Sequence, residues 1–210
     1  MKNKLKSVFM LALCIALLIP AARVDAGTSA KQQAQEPVKK YYKYAKNLEL
    51  KKMGWYVAKK NKDDSKDGFT SSQTRQFYGV MRKENKKKFS YKILNTTLSK
   101  DKKSATLTVK VTYRSLYRAG YYSTEKTYKK ILDYYDDHGK MPGSTKVNGW
   151  LVKYLVKGAK KYPAKLTSRT VTIRTKKYGN KWKIVESTDQ MMHTYSCNIL
   201  IGMDYASRDL

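Results

Sequence analysis

Phe89-Ser90-Tyr91-Lys92-Ile93, followed after the polar run Ser99-Lys100-Asp101-Lys102-Lys103 by Ala105-Thr106-Leu107-Thr108-Val109-Lys110-Val111-Thr112-Tyr113, decides the fold class. Apolar and polar residues alternate with a period of two in both segments, as in a strand with one face in a core and the other in water. The charged run between them is a turn, so the pair reads as a hairpin. A second hairpin follows at residues 166–175 and 181–187. There Val171 and Ile173 share a face, as do Trp182 and Ile184, and Tyr178-Gly179-Asn180 turns the chain.

Outside the hairpins the period changes to that of helices. Tyr128, Ile131, Leu132 and Tyr135 predict a helix over 124–137, closed by Gly139 and Pro142. Leu151, Tyr154, Leu155 and Ala159 predict another over 147–161, stopped by Pro163. Upstream, Val38, Tyr41, Tyr42, Ala45 and Leu48 fall on one helical face, with Pro37 suited to the first turn. Thr70 and Gln73 stand at capping-box spacing ahead of a short helix through Phe77, Val80 and Met81. Residues 84–88 read as a solvated charge run, 59–68 as a polar loop, and 198–201 as a short helix or an edge strand. The expected class is α+β.

The chain has 210 residues, 45 Lys plus Arg against 16 Asp plus Glu, two His and two Cys, for a formal net charge of +29. That length suits one domain. Lys2, Lys4 and Lys6 precede an uncharged apolar run at 8–19; Pro20 breaks it, and Val24 and Ala26 suit cleavage before Gly27. This is the order of a secretory signal, and the run is shorter than the roughly 20 residues of a membrane span. Leu13 before Cys14 argues against lipidation. The expected organisation is a signal peptide at 1–26, a flexible Gly/Ser/Gln/Ala leader at 27–36 and a single α+β domain at 37–210, with no transmembrane segment after cleavage. Removing Lys2, Lys4, Lys6, Arg23 and Asp25 leaves 41 basic and 15 acidic residues, a net of +26. Cys197 is then the lone cysteine, so no internal disulfide is expected.

Leading helices, a long hairpin with Thr-rich outer positions, a helical crossover and a second hairpin ending Gly179-Asn180-Lys181-Trp182-Lys183-Ile184-Val185 resemble the nuclear transport factor 2-like superfamily, over residues 37–189. The nearer resemblance is to uncharacterised exported members of that superfamily from Gram-positive bacteria. It implies a curved antiparallel sheet wrapped around the N-terminal helices as a cone-shaped roll with one open mouth, here with a helical pair between the two hairpins. Enzymes of the superfamily, such as the ketosteroid isomerase-like group, use a carboxylate base and a tyrosine donor inside the cone. In this chain Glu186 is the one acidic residue placed near a strand end, with Asp189 just beyond it.

Catalytic and metal readings start with few residues. His193 and Cys197 stand four apart, a spacing that on a helix would suit a thiolate with its base or two metal ligands, but no third ligand accompanies them. Asp136-Asp137-His138 reads as a solvated helix end. The expectation is no catalytic set, no metal and no cofactor.

The charge is the more informative property. Of the 45 basic residues 37 are Lys and 8 are Arg, which favours diffuse, salt-sensitive attraction over bidentate recognition. Lys39, Lys40, Lys43 and Tyr44, with Lys160 and Lys161, interleave lysine with tyrosine and are candidate polyanion contacts. Arg114, Tyr117, Arg118, Tyr121 and Tyr122 follow a strand, where a loop at the sheet margin would line the mouth; they are the candidate ligand contacts. The expected function is that of a secreted, non-enzymatic binding or interaction module at the bacterial cell envelope, held at the wall by charge. Its expected partners are anionic wall polymers or lipid headgroups. The alternatives are a small-molecule-binding or enzymatic cone pocket and an extracellular nucleic-acid binder.

Overall fold

The computed structural model describes residues 29–59 and 69–210. The expected signal peptide lies outside the described residues. In chain order the elements are α1 (Ala30–Ala45), α2 (Leu50–Gly54), β1 (Val57–Lys59), α3 (Ser71–Lys87), β2 (Phe89–Leu98), β3 (Ser104–Ser115), α4 (Tyr117–His138), α5 (Ser144–Lys161), β4 (Lys165–Tyr178), β5 (Lys181–Glu186), α6 (Asp189–Tyr195) and α7 (Ile199–Arg208). The chain is α+β, and both hairpins form, with α4 and α5 between them.

The strand order is β1-β5-β4-β3-β2. Every neighbouring pair is antiparallel except β1 with β5, which is parallel, so the sheet is mixed and open where an all-antiparallel one was expected. β1 comes from Val57–Lys59, too short to display an alternation. Its place is set by pairing, Val57 lying against Ile184 and the Tyr56 carbonyl accepting from the Ile184 amide at 2.8 Å.

β3 buries Ala105, Leu107, Val109, Val111 and Tyr113 and turns Thr106, Thr108, Lys110 and Thr112 outward. Each fully buried Val or Leu contributes about 2 kcal/mol. Against this face α1 lays Val38, Tyr41, Tyr42 and Ala45, joined by Ile173 and Ile184. A bulge between Ile93 and Asn95 shifts the β2 register, which exposes Leu94 and carries Thr96 into the core. There the Thr96 hydroxyl accepts from Gln35 Nε2 at 2.9 Å.

Residues 30–36, expected as part of a flexible leader, are the first two turns of α1. Ser29 and Gln32 close a reciprocal capping box ahead of them, and Ala34 is fully buried. Pro37 therefore lies inside the helix rather than in its first turn. In the ambiguous 198–201 segment, residues 199–201 are helical and open α7, with left-handed Asn198 as the N-cap.

A second apolar cluster holds α3, α4, α5 and α7 together through Met81, Leu116, Ala119, Leu155 and Ile199. α4 and α7 approach so closely that a Cβ on Gly202 would stand 2.1 Å from the Tyr117 carbonyl oxygen, and one on Gly120 2.3 Å from that of Ile199. Gly202→Ala is expected to cost about 3 kcal/mol, since backbone on both sides must move. Gly79→Ala, inside α3 with open space around the new methyl, should instead add about 0.5 to 1 kcal/mol. Urea unfolding of the two variants checks both signs.

Candidate polyanion surface

The face of α1 opposite its core stripe is basic. Lys39, Lys40, Lys43 and Lys46 rim a groove of about 570 Å³ between α1 and β2, whose floor includes Tyr42, Phe89 and Tyr91. The Tyr42 ring stacks on Tyr91 with centroids 5.4 Å apart and lies 6.2 Å from Phe89. Tyr91 donates its hydroxyl to the Lys39 carbonyl at 3.3 Å, which ties the strand to the helix beneath the lysines. Burial raises the pKa of that hydroxyl, so it stays a neutral donor. The groove has one carboxylate, Glu36, and Lys39 occupies it at 3.0 Å. Lys40, Lys43 and Lys46 make no ion pair among the described residues. Tyr44 points elsewhere, stacking on Tyr56 at 6.0 Å with Lys52 over its ring.

The second lysine set meets part of the predicted ligand set. Arg118 and Tyr122 lie in the opening turns of α4, which begins at Tyr117, so the expected loop at the sheet margin is helix instead. Gly158 lets α5 approach α4, since a Cβ there would lie 3.0 Å from the Ala119 carbonyl oxygen. At this crossing the rings of Tyr122, Tyr154 and Tyr162 meet edge to face. Arg118 stands 5.0 Å over Tyr162, and Lys161 lies 5.3 Å from Tyr122 and 5.4 Å from Tyr162. Lys126 and Lys157 extend the cluster over Tyr122 and Tyr154. Lys160 is exposed on the last turn of α5. Tyr117 packs against Tyr205, and Tyr121 donates to Asp209 Oδ2 at 3.0 Å. Both therefore turn toward α7 and the C-terminus.

Arg114 separates from these residues. Its Nε donates to Glu84 Oε2 at 2.6 Å and its NH2 group to the Ala164 carbonyl at 2.7 Å. Glu84 and Asn85, expected in a solvated run, are buried on α3. The three- and four-residue steps from Phe77 through Met81 to Glu84 and Asn85 continue one helical stripe, a signal that their polarity concealed. Burial pushes the Glu84 carboxyl up, but charge-assisted bonds from Lys87 and Arg114 outweigh it and hold the group below its ordinary range.

His193 and Cys197 do not pair. α6 ends at Tyr195, and Cys197 and Asn198 both take positive φ, 55° and 59°, so the helical spacing from His193 does not extend to the thiol. The turn is held by the Leu116 amide donating to the Cys197 carbonyl at 2.7 Å and by Tyr113 donating to Asn198 Oδ1 at 2.8 Å. The Cys197 thiol donates to Asn85 Oδ1 at 3.1 Å, and burial, with the Glu84 charge nearby, pushes it up to about 12. His193 faces Arg169, with Nδ1 3.2 Å from a guanidinium nitrogen, and its pKa is lowered by burial and then by that charge. Glu186 accepts from Arg174 at 2.9 Å as an exposed pair, and Asp189 is exposed in the first turn of α6. His138 stacks on Tyr134 at 4.0 Å with Asp136 and Asp137 exposed beside it. Among the described residues no three His, Cys, Asp or Glu side chains converge as a metal site.

No family model matches the chain, and no curated protein matches it. Among solved structures, the candidate lipoprotein YcdA of Bacillus subtilis matches with 18% identity and a TM-score of 0.37, over 78% of this chain and 46% of that one. The chain thus spans about half the length of that protein. No helix among the described residues is long and apolar enough to cross a membrane.

Glu84→Ala should destabilise the fold by about 2 to 3 kcal/mol, because Arg114 is left half-buried without its acceptor. Since the Glu84 carboxyl is depressed in the fold, its contribution is complete above the unfolded value of about 4.3 and is lost as pH falls below it. The parent should therefore lose more stability than Glu84→Ala between pH 5 and 3, as read by denaturant midpoints. In a Cys14→Ser background, Cys197 should resist iodoacetamide at pH 8 in the folded protein and react on unfolding, which mass spectrometry reads directly.

Proposed function

We propose that the protein is an exported, non-enzymatic module that binds anionic polymers at the bacterial cell envelope. The observation that carries this reading is the α1/β2 groove, which three lysines without ion-pair partners line together with packed aromatic rings. Lysines placed this way attract phosphate as point charges, and Tyr91, half-buried where Tyr42 is fully buried, is the ring of the floor left to meet a sugar. The α4/α5 crossing supports the same reading with a second set of cations on rings. Export rests on the amino-terminal segment, and the nuclear transport factor 2-like resemblance with its cone-shaped roll rests on element order. With export, the polyanions in reach are wall polymers and lipid headgroups rather than intracellular nucleic acid. A catalytic use of the fold lacks comparable support, because Glu186 is committed to Arg174 and His193 to Arg169.

The test is sedimentation of the purified protein with intact walls, walls stripped of teichoic polymers, and DNA across a salt series. Retention on intact walls that is lost on stripping, and released between about 0.1 and 1 M salt as the screening length falls from about 10 to about 3 Å, is the expected result. Lys40→Gln/Lys43→Gln/Lys46→Gln should shift release to lower salt. Equal indifference to all three materials would sink the proposal.

A further inference from the structure

The outer face of the sheet carries lysines in an arrangement that the fold itself does not explain. β2 places Lys92 directly opposite Lys110 on β3, and β5 places Lys183 directly opposite Lys176 on β4. All four alternate with core residues and so point to the uncovered face. Directly opposed side chains in an antiparallel pair have Cβ atoms about 5 Å apart, and like charges there are destabilising. None of the four makes an ion pair among the described residues. Lysine on an edge strand guards against strand addition. That purpose covers Lys92 on β2, but Lys110, Lys176 and Lys183 stand on interior strands.

The ground between the two pairs is hydroxylic. Lys110 lies opposite Thr170, Thr108 opposite Thr172 and Thr106 opposite Arg174. A depression of about 480 Å³, lined by Thr97, Thr106, Arg174 and Lys176 among others, opens at the Lys176 end. From Thr170, beside Lys110, to Lys176 is six residues along β4, roughly 20 Å. A single phosphate cannot reach both pairs, whereas an extended chain can. The strip between them has no aromatic ring on its outward positions, so it offers no stacking platform for bases. Its threonines can bond hydroxyls and phosphate oxygens.

The geometry points to this face as the docking surface for a linear polyol-phosphate chain, which runs across the sheet with its phosphates on the Lys92/Lys110 and Lys176/Lys183 pairs. The assignment rests on the polyanion-binding reading above and adds a second surface, besides the α1/β2 groove, and the polymer class to it. Binding of delipidated poly(glycerol phosphate) to the purified protein tests it by calorimetry at fixed salt. The face variant is Lys92→Gln/Lys110→Gln/Lys176→Gln/Lys183→Gln. Its charge-matched comparison is Lys83→Gln/Lys86→Gln/Lys140→Gln/Lys153→Gln, built from exposed lysines away from the sheet.

The face variant should bind about tenfold more weakly than its comparison, at a melting temperature equal to or above that of the parent because opposed charges are removed. Lys110→Gln/Lys176→Gln, one lysine from each pair, should weaken binding about threefold against Lys86→Gln/Lys153→Gln, and this comparison decides the matter if the four-site variant fails to fold. Equal weakening in both glutamine variants would overturn the face assignment while leaving polyanion binding intact. Inorganic phosphate that displaces the polymer as well as longer chains do would overturn the two-pair span, and tighter binding of single-stranded DNA at the same face would overturn the polymer class. No binding of any polyanion by the parent would remove the functional reading as well.

Discussion

The single buried face of the sheet is the constraint on which the rest of the molecule depends. Once β3 commits Leu107, Val109 and Val111 inward, β2 and β4 must follow in register, because a slip by one residue would turn each apolar set into water. α1 covers that face with its own stripe, and its lysines are left to rim the groove it forms with β2. The opposite face stays uncovered, so threonine and lysine populate it. Both candidate polyanion surfaces on the sheet follow from this asymmetry.

The helical layer depends on a different kind of contact. α4 and α7 are drawn together at Gly120 and Gly202, and their approach needs the chain to reverse sharply after α6. Two consecutive left-handed residues, Cys197 and Asn198, make that reversal. Asparagine tolerates the conformation because its side chain can bond nearby groups, here Tyr113 and Ser115. Cysteine has no such excuse and is held there by burial and by Asn85. The thiol is thus a packing group with a weak donor, which is why its spacing from His193 does not become chemistry.

Much of the basic character is arranged without carboxylates. Nine ion pairs occur among the described residues, and several join neighbours on one helix. Such exposed pairs contribute little to stability. The exception is Glu84, which clamps Arg114 at the end of β3 and so joins α3 to the β4 entry through the Ala164 carbonyl. A chain with so many uncompensated lysines repels itself, and packing of the two apolar clusters must offset that repulsion.

The order of residues was enough for the α+β class, both hairpins and the core faces of the strands, because a period of two or of 3.6 is a local property that any tertiary partner must respect. It also carried the Thr70/Gln73 box that opens α3, and the Ser29/Gln32 box that opens α1 was equally present in it, though composition argued for a leader. Three-dimensional packing alone set the parallel docking of β1, since a three-residue strand has no pattern of its own. It alone sent Arg114 to Glu84 and away from Arg118, because both arginines look alike in sequence and only the neighbouring helix distinguishes them. It alone brought Arg118 and Tyr122 beside Lys161, across a helix crossing set by Gly158. And it alone placed Lys92 against Lys110 and Lys176 against Lys183, since strand register is fixed by the packing of whole faces rather than by the lysines themselves.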